Sequence, residues 1–344
     1  MARNVLPDTA QGTLRLMQER LGHSLLPFEV EEKARLAWEI NQLKREKNAV
    51  ILGHNYMEPA LYHGVADYTG DSLELCREAA KTTSDLLIFC GVEFMAETAS
   101  ILNPDRKVLI PSDKAGCSLA SSITAADVRR LKEQYPGVPV VTYINTYAEV
   151  KAETDVCCTS GNAARVVETL DSDQVIFIPD EYLARNVAAE TGKTIIFPQD
   201  GKGQADFLGW HGKCEVHDKF TVEDIAVVRR QYPDVVVLAH PECPPDVLQA
   251  ADFSGSTSAM IRYVRTQDAS HYLLLTECAM ADNLIAEMPQ KQVLRLCSFR
   301  CPYMARITLE DTLACLQEER YEVSVPEEIR ERAARSIYNM LEIS

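Results

Sequence analysis

From residue 48 onward, short β-branched and aliphatic runs recur between stretches of helical spacing: NAVILG, LLIF and VLI, then PVVTY, VIFI and TIIF, then VVVLA, YLLL and VLRL. Runs of this length, bounded by turn-forming residues and alternating with helical segments, predict strand-helix units and parallel sheets. The expected fold class is α/β. The two ends read differently. LRLMQERLGHSL and VEEKARLAWEINQLKREKN at the start, and ITLEDTLACLQEE and PEEIRERAARSIYNMLEI at the finish, carry apolar residues at helical intervals and predict helices that pack together.

The pattern repeats in order more than in letters. Four sets of positions correspond: His54, Asn145 and His240; Ser72, Ser160 and Ser256; Glu93, Glu181 and Glu277; Cys117, Cys214 and Cys301, with separations of 87 to 97 residues. So long a period, with a strand-helix-strand plan inside it, describes a small αβα sandwich used three times. Pseudo-threefold symmetry around a central active site is expected. Residues 48–123, 124–220 and 221–305 form the three domains, residues 1–47 an N-terminal helical segment that packs with the C-terminus, and residues 306–344 the C-terminal helices. Ligands of open parallel sheets collect beyond the carboxyl ends of the strands, and the repeated polar residues fall there.

Composition narrows the function. No apolar run approaches the length of a membrane span, and the N-terminus lacks the basic, apolar and small-residue blocks of a secretory signal, which predicts a cytoplasmic chain away from membranes. The net charge of −16 disfavours nucleic acid and anionic lipid surfaces. Small anions remain suitable, held by local cations and helix N-termini. Eleven cysteines, an odd number, predict reduced thiols serving a metal or catalysis rather than a disulfide framework.

Three cysteines at equivalent loops can meet at one point, and three thiolates leave one iron of a 4Fe-4S cluster open to act as a Lewis acid. Cys214 lies in polar loop company, GWHGKCEVH, whereas Cys297 and Cys301 form a C-x-x-x-C spacing compatible with zinc, a redox pair or neither. Cys76, Cys90, Cys278 and Cys315 fall on strand or helix patterns and read as core. The vicinal Cys157 and Cys158 read as core or as a strained disulfide. His54 and Tyr56 follow one strand as His240 and Glu242 follow another; a histidine and a carboxylate there can move protons, with Glu242 the preferred carrier. Tyr143 and Asn145 can donate hydrogen bonds to a carboxylate or carbonyl. Ser72, Ser160, Ser256 and Thr257 precede helical segments, as helix caps or as parts of anion sites. His23, His63, His211 and His271 read as surface or structural, and the stretch 199–213 is long for a connection.

The ordered set GHNYMEP, GDSLEL, GVEFMAE, GCSLA, TYINT, CTSGNA, GKCEVH, HPEC, GSTSAM and CPYM resembles the quinolinate synthase family of de novo NAD biosynthesis, over residues 48–305 at least. The resemblance implies three αβα domains around one 4Fe-4S cluster per chain, held by Cys117, Cys214 and Cys301 with one open iron, and leaves Cys297 a non-ligand. It implies condensation of iminoaspartate (iminosuccinate) with dihydroxyacetone phosphate to quinolinate, releasing phosphate and water. An L-aspartate oxidase or aspartate dehydrogenase would supply the imine. The substrate-binding set becomes His54, Ser72, Tyr143, Ile144, Asn145, Ser160, His240, Pro241, Glu242 and Thr257, with Ser256 beside it. Tyr56 matches a catalytic tyrosine, joined by His240 and Glu242. An aconitase-like hydro-lyase and a zinc or redox-sensing binding protein are the other readings.

Overall fold

The computed structural model describes residues 3–198, 212–296 and 299–343. Within them the strands form three parallel four-stranded sheets, each flanked by helices. The first contains β1 (Ala49–His54), β2 (Tyr68–Gly70), β3 (Leu86–Cys90) and β4 (Lys107–Leu109); the second contains β5 (Val140–Tyr143), β6 (Val156–Cys158), β7 (Gln174–Ile178) and β8 (Thr194–Ile196). The third contains β9 (Val235–Ala239), β10 (Phe253–Ser254), β11 (His271–Leu275) and β12 (Gln292–Arg295). Strand order is the same in all three: β2-β1-β3-β4, β6-β5-β7-β8 and β10-β9-β11-β12. Helices cover both faces, so central strands such as β1, β3 and β5 are buried along their whole length, which is why they read as continuous apolar runs.

One polar device recurs in each third. Asp67, Asp155 and Asp252 each accept the amide of a central strand (Ile51, Val140 and Val237, at 2.9, 2.8 and 2.8 Å) and return their own amide to the same residue's carbonyl. Each also faces a cation on the preceding helix: Lys44 at 3.0 Å, Lys132 at 3.8 Å and Arg229 at 2.9 Å. Only the first pair is buried, with side chains 5% and 4% exposed. Burial lowers the Lys44 pKa, and Asp67 opposes that shift. Asp67→Ala strands this ammonium in the core and is expected to cost about 3–5 kcal/mol in a denaturant titration. A loss below about 1 kcal/mol would show that water or the Val65 carbonyl is partner enough.

Helix Pro27–Glu46 packs on Leu309–Glu318, joining the two chain ends, whereas Glu327–Ile343 lies against β6 of the second sheet. No described helix is long and apolar enough to cross a membrane. Cys76, Cys90 and Cys315 are buried free thiols, as expected of core residues. Cys157 and Cys158 are likewise buried and free, which removes the vicinal disulfide. Cys278 corrects the expectation of reduced thiols throughout: it is buried but disulfide-bonded. Cys297, His211 and residues 199–211 of the long connection lie outside the described residues.

Candidate active site

The carboxyl ends of β1, β5 and β9 face a common cavity. It is lined from the first third by His54, Tyr56, Ser72 and Cys117, from the second by Tyr143, Asn145, Ser160 and Cys214, and from the third by His240, Glu242, Thr257 and Cys301.

The three cysteines occupy copies of one loop. A one-turn 3₁₀ helix starts three residues after each, at Ala120, His217 and Met304. A helix capped by Thr124, Thr221 or Thr308 then follows, each threonine accepting the amide of an aspartate three residues on. The carbonyls of Cys117, Cys214 and Cys301 accept the amides of Ser121, Asp218 and Ala305 at 3.0, 2.9 and 3.1 Å. Each sulfur also receives two backbone amides, from Leu119 and Ala120, from Val216 and His217, and from Tyr303 and Met304. Burial nevertheless pushes the thiols up, Cys117 to about 12, Cys301 to about 11 and Cys214 well above its ordinary value, and nearby charges add to this: Cys301 for Cys117, Glu242 and then Cys117 for Cys214, and Glu277 and Glu215 for Cys301. Metal binding there would release protons.

Opposite the thiols, Glu242 is 3% exposed. Burial alone would raise its pKa, but His217 and His240 outweigh burial and hold it ionised. His217 Nδ1 lies 2.7 Å from Glu242 Oε2, a close electrostatic contact rather than a linear hydrogen bond. Asn145 Nδ2 donates to Oε1 at 3.3 Å, while Asn145 Oδ1 is buried without a partner among the described residues. His54 and His240 share a further local device: the amide two residues on, of Tyr56 at 3.2 Å and of Glu242 at 3.4 Å, donates to Nδ1. This assigns the ring hydrogen to Nε2, and His240 Nε2 meets Ser160 Oγ at 3.1 Å. Burial, reinforced by His240, lowers His54 to about 3, so it works as a neutral imidazole. Burial, reinforced by Glu242, keeps Tyr56 and Tyr143 protonated.

A family model described as quinolinate synthetase A protein matches residues 38–342. The chain is 52% identical over 329 residues to a quinolinate synthase of Caulobacter vibrioides, covering 94% of this chain and 86% of that protein. It is 49% identical over 336 residues to quinolinate synthase 2 of Mesorhizobium japonicum, covering 98% and 100%, and 52% identical over 304 residues to a quinolinate synthase of Xylella fastidiosa, covering 88% and 86%. The chain belongs to the quinolinate synthetase A family.

For a member of the quinolinate synthetase A family, the cavity brings together most of the residues read from sequence and adds several. Ile144, Pro241 and Ser256 stand behind its wall: the Ile144 amide donates to the Cys158 carbonyl at 2.8 Å, the Pro241 carbonyl accepts Asn186 at 2.9 Å, and Ser256 Oγ donates to Asp71 at 2.7 Å. The glutamate set diverges. Glu93 is exposed and Glu181 pairs with Arg185, while Glu277 lines the cavity. Burial raises Glu277 to about 7, although it accepts the amides of Ala279 and Cys301. Asp71 and Thr159 also line the cavity without having been singled out, and His217 lines it as well. His217 could have been found from its place three residues after Cys214.

Three thiols, each in a loop that aims two amides at sulfur, suit an iron-sulfur cluster, whose properties such N–H···S contacts tune. A second donor set overlaps it: the ligand atoms of Cys214, His217 and Glu242 lie within 4.8 Å of one another.

Proposed function

We propose that the chain condenses iminoaspartate with dihydroxyacetone phosphate to give quinolinate, phosphate and two waters in de novo NAD biosynthesis, with a 4Fe-4S cluster on Cys117, Cys214 and Cys301. The observation that carries this reading is the meeting of three equivalent thiol loops, one from each third, in the cavity that holds Glu242; no fourth cysteine lines it among the described residues. Three ligands leave one iron free, and when bound the cluster would supply a Lewis acid for a substrate oxygen or nitrogen.

The chain's own residues supply the rest. Glu242, held as a carboxylate, accepts protons during isomerisation and ring closure, while Tyr56 and Tyr143 stay protonated and the neutral His54 offers an Nε2 hydrogen. Asn145 and Ser160 are placed to orient a carboxylate or carbonyl, and Thr257 with Ser72 to hold phosphate or carboxylate. A wider cleft of about 620 Å³ meets the cavity at Ser160, with Arg165 and Arg262 on its walls, which suits the passage of anionic substrates.

The test is anaerobic purification, iron and sulfide analysis, and a quinolinate assay with dihydroxyacetone phosphate and iminoaspartate generated in place from oxaloacetate and ammonia. Quinolinate formation dependent on iron is expected. A colourless protein carrying one zinc, as the Cys214, His217 and Glu242 set would favour, would overturn the cluster reading.

A further inference from the structure

The loops that present Tyr56 and Glu242 are built alike. In each, the amide three residues after a histidine closes a turn on that histidine's carbonyl: Met57 on His54 at 3.0 Å and Cys243 on His240 at 2.9 Å. The carbonyls on either side of Tyr56, and of Glu242, then lie beyond the sheet ladders, and inward-facing backbone carbonyls need donors. One asparagine from another third supplies both. Asn283 Nδ2 donates to the carbonyls of Asn55 and Met57 at 3.1 and 2.9 Å, and Asn186 Nδ2 donates to those of Pro241 and Cys243 at 2.9 and 3.2 Å. Only the NH2 end of an asparagine can serve two carbonyls, one hydrogen each, which settles how both side chains are turned.

The two asparagines hold the same place in the repeat. Each is the eighth residue after a strand end, Ile178 of β7 or Leu275 of β11. The helix Glu181–Thr191 of the second third therefore grips the third, and the helix Cys278–Glu287 of the third grips the first. The series breaks at the remaining step. Thr98 stands eight residues after Cys90, the end of β3, and donates to the Phe94 carbonyl of its own helix at 2.8 Å. The loop of the second third, which presents Asn145, instead closes on itself, the Thr146 amide donating to Ile144 at 2.8 Å and the Thr146 hydroxyl to the Tyr143 carbonyl at 3.2 Å. The grip exists at the two loops that carry proton-handling residues and is missing where the residue presented only orients.

We propose that Asn283 and Asn186 are positioning residues, each a clamp from another third that fixes the loop presenting Tyr56 or Glu242. The inference rests on the functional reading above. Neither asparagine is among the residues lining the cavity, so each acts through the residue it brackets. Asn283 is 2% exposed and its Oδ1 has no partner among the described residues, which leaves the loop as the recipient of its side-chain hydrogen bonds there. Holding two carbonyls one residue apart fixes the backbone of the residue between them. The docking of the thirds thereby sets where the phenol and the carboxylate stand.

The test is a pair of double-mutant cycles in the iron-loaded enzyme, with kcat expressed per iron. Asn283→Ala and Asn186→Ala are each expected to lower kcat about 10–100-fold, as a small misplacement of a reacting group does, with KM within a few-fold of wild type. In a Tyr56→Phe background, Asn283→Ala should cost less than about threefold more, and Asn186→Ala should behave likewise in a Glu242→Gln background, because effects exerted through one group do not add. A general loosening of the fold would instead persist in every background. Unchanged kcat in either single variant, a loss confined to KM, or a full loss repeated after the bracketed residue is replaced would overturn the proposal. If Asn283→Ala does not accumulate as folded protein, the Asn186→Ala cycle decides alone, since Asn186 is only half-buried. Wild-type protein that forms no quinolinate would sink the functional reading itself, so the two failures are told apart by the wild-type assay.

Discussion

Single replacement of Cys117, Cys214 or Cys301 by alanine will leave anaerobically purified protein without iron, without acid-labile sulfide and without quinolinate-forming activity. The three sulfurs are equivalent in their loops, each taking amides from the second and third residues after it. Two remaining thiolates are too few for a cluster read as taking one cysteine from each third. The loops lie outside the sheets, and far-ultraviolet circular dichroism should stay at the wild-type level. Cys297→Ala, by contrast, should keep its iron. Wild-type iron content in any of the first three variants would remove that cysteine from the ligand set, and loss in Cys297→Ala would add a ligand.

Glu242→Gln is expected to keep the iron and the fold while losing roughly 10²–10⁴-fold in kcat, the usual span for removing a positioned acid-base group. The amide is nearly the same shape, and Asn145 can still donate to its oxygen. What disappears is the charge that two histidines hold in place against burial. An activity within a few-fold of wild type would show that proton transfer runs through another group, Glu277 being the cavity carboxylate next in line.

The threefold plan was legible because strand-end residues recur at nearly fixed intervals, and each strand end turned out to face the same cavity. His54, Tyr143, His240 and the three cysteines could be located by that rule alone. Thr276 could not, since its contacts run across the thirds: it meets Tyr56 220 residues away and His217 59 residues away. Asn55 is similar. It follows His54 on the chain, yet its side chain reaches Thr257 and Ser258 at 2.9 and 3.2 Å and ties the first third to the third. Ser256 takes the helix-cap role that its place before a helical segment also allowed, and bonds Asp71. The Cys278 disulfide was hidden because a cysteine on a helix pattern looks the same whether oxidised or reduced.

The matching thiol loops also make colour a gauge of docking. Each loop belongs to a separately wound sheet, so no third alone can hold the proposed cluster, and the visible spectrum would develop only after all three have come together. A mutation that loosens one interface, for example at the Ser118 to Glu215 contact beside two of the cysteines, would bleach the protein before any helix or strand is lost. Bleaching on mild heating or in dilute denaturant, followed against far-ultraviolet signal, would therefore time the parting of the thirds separately from their melting.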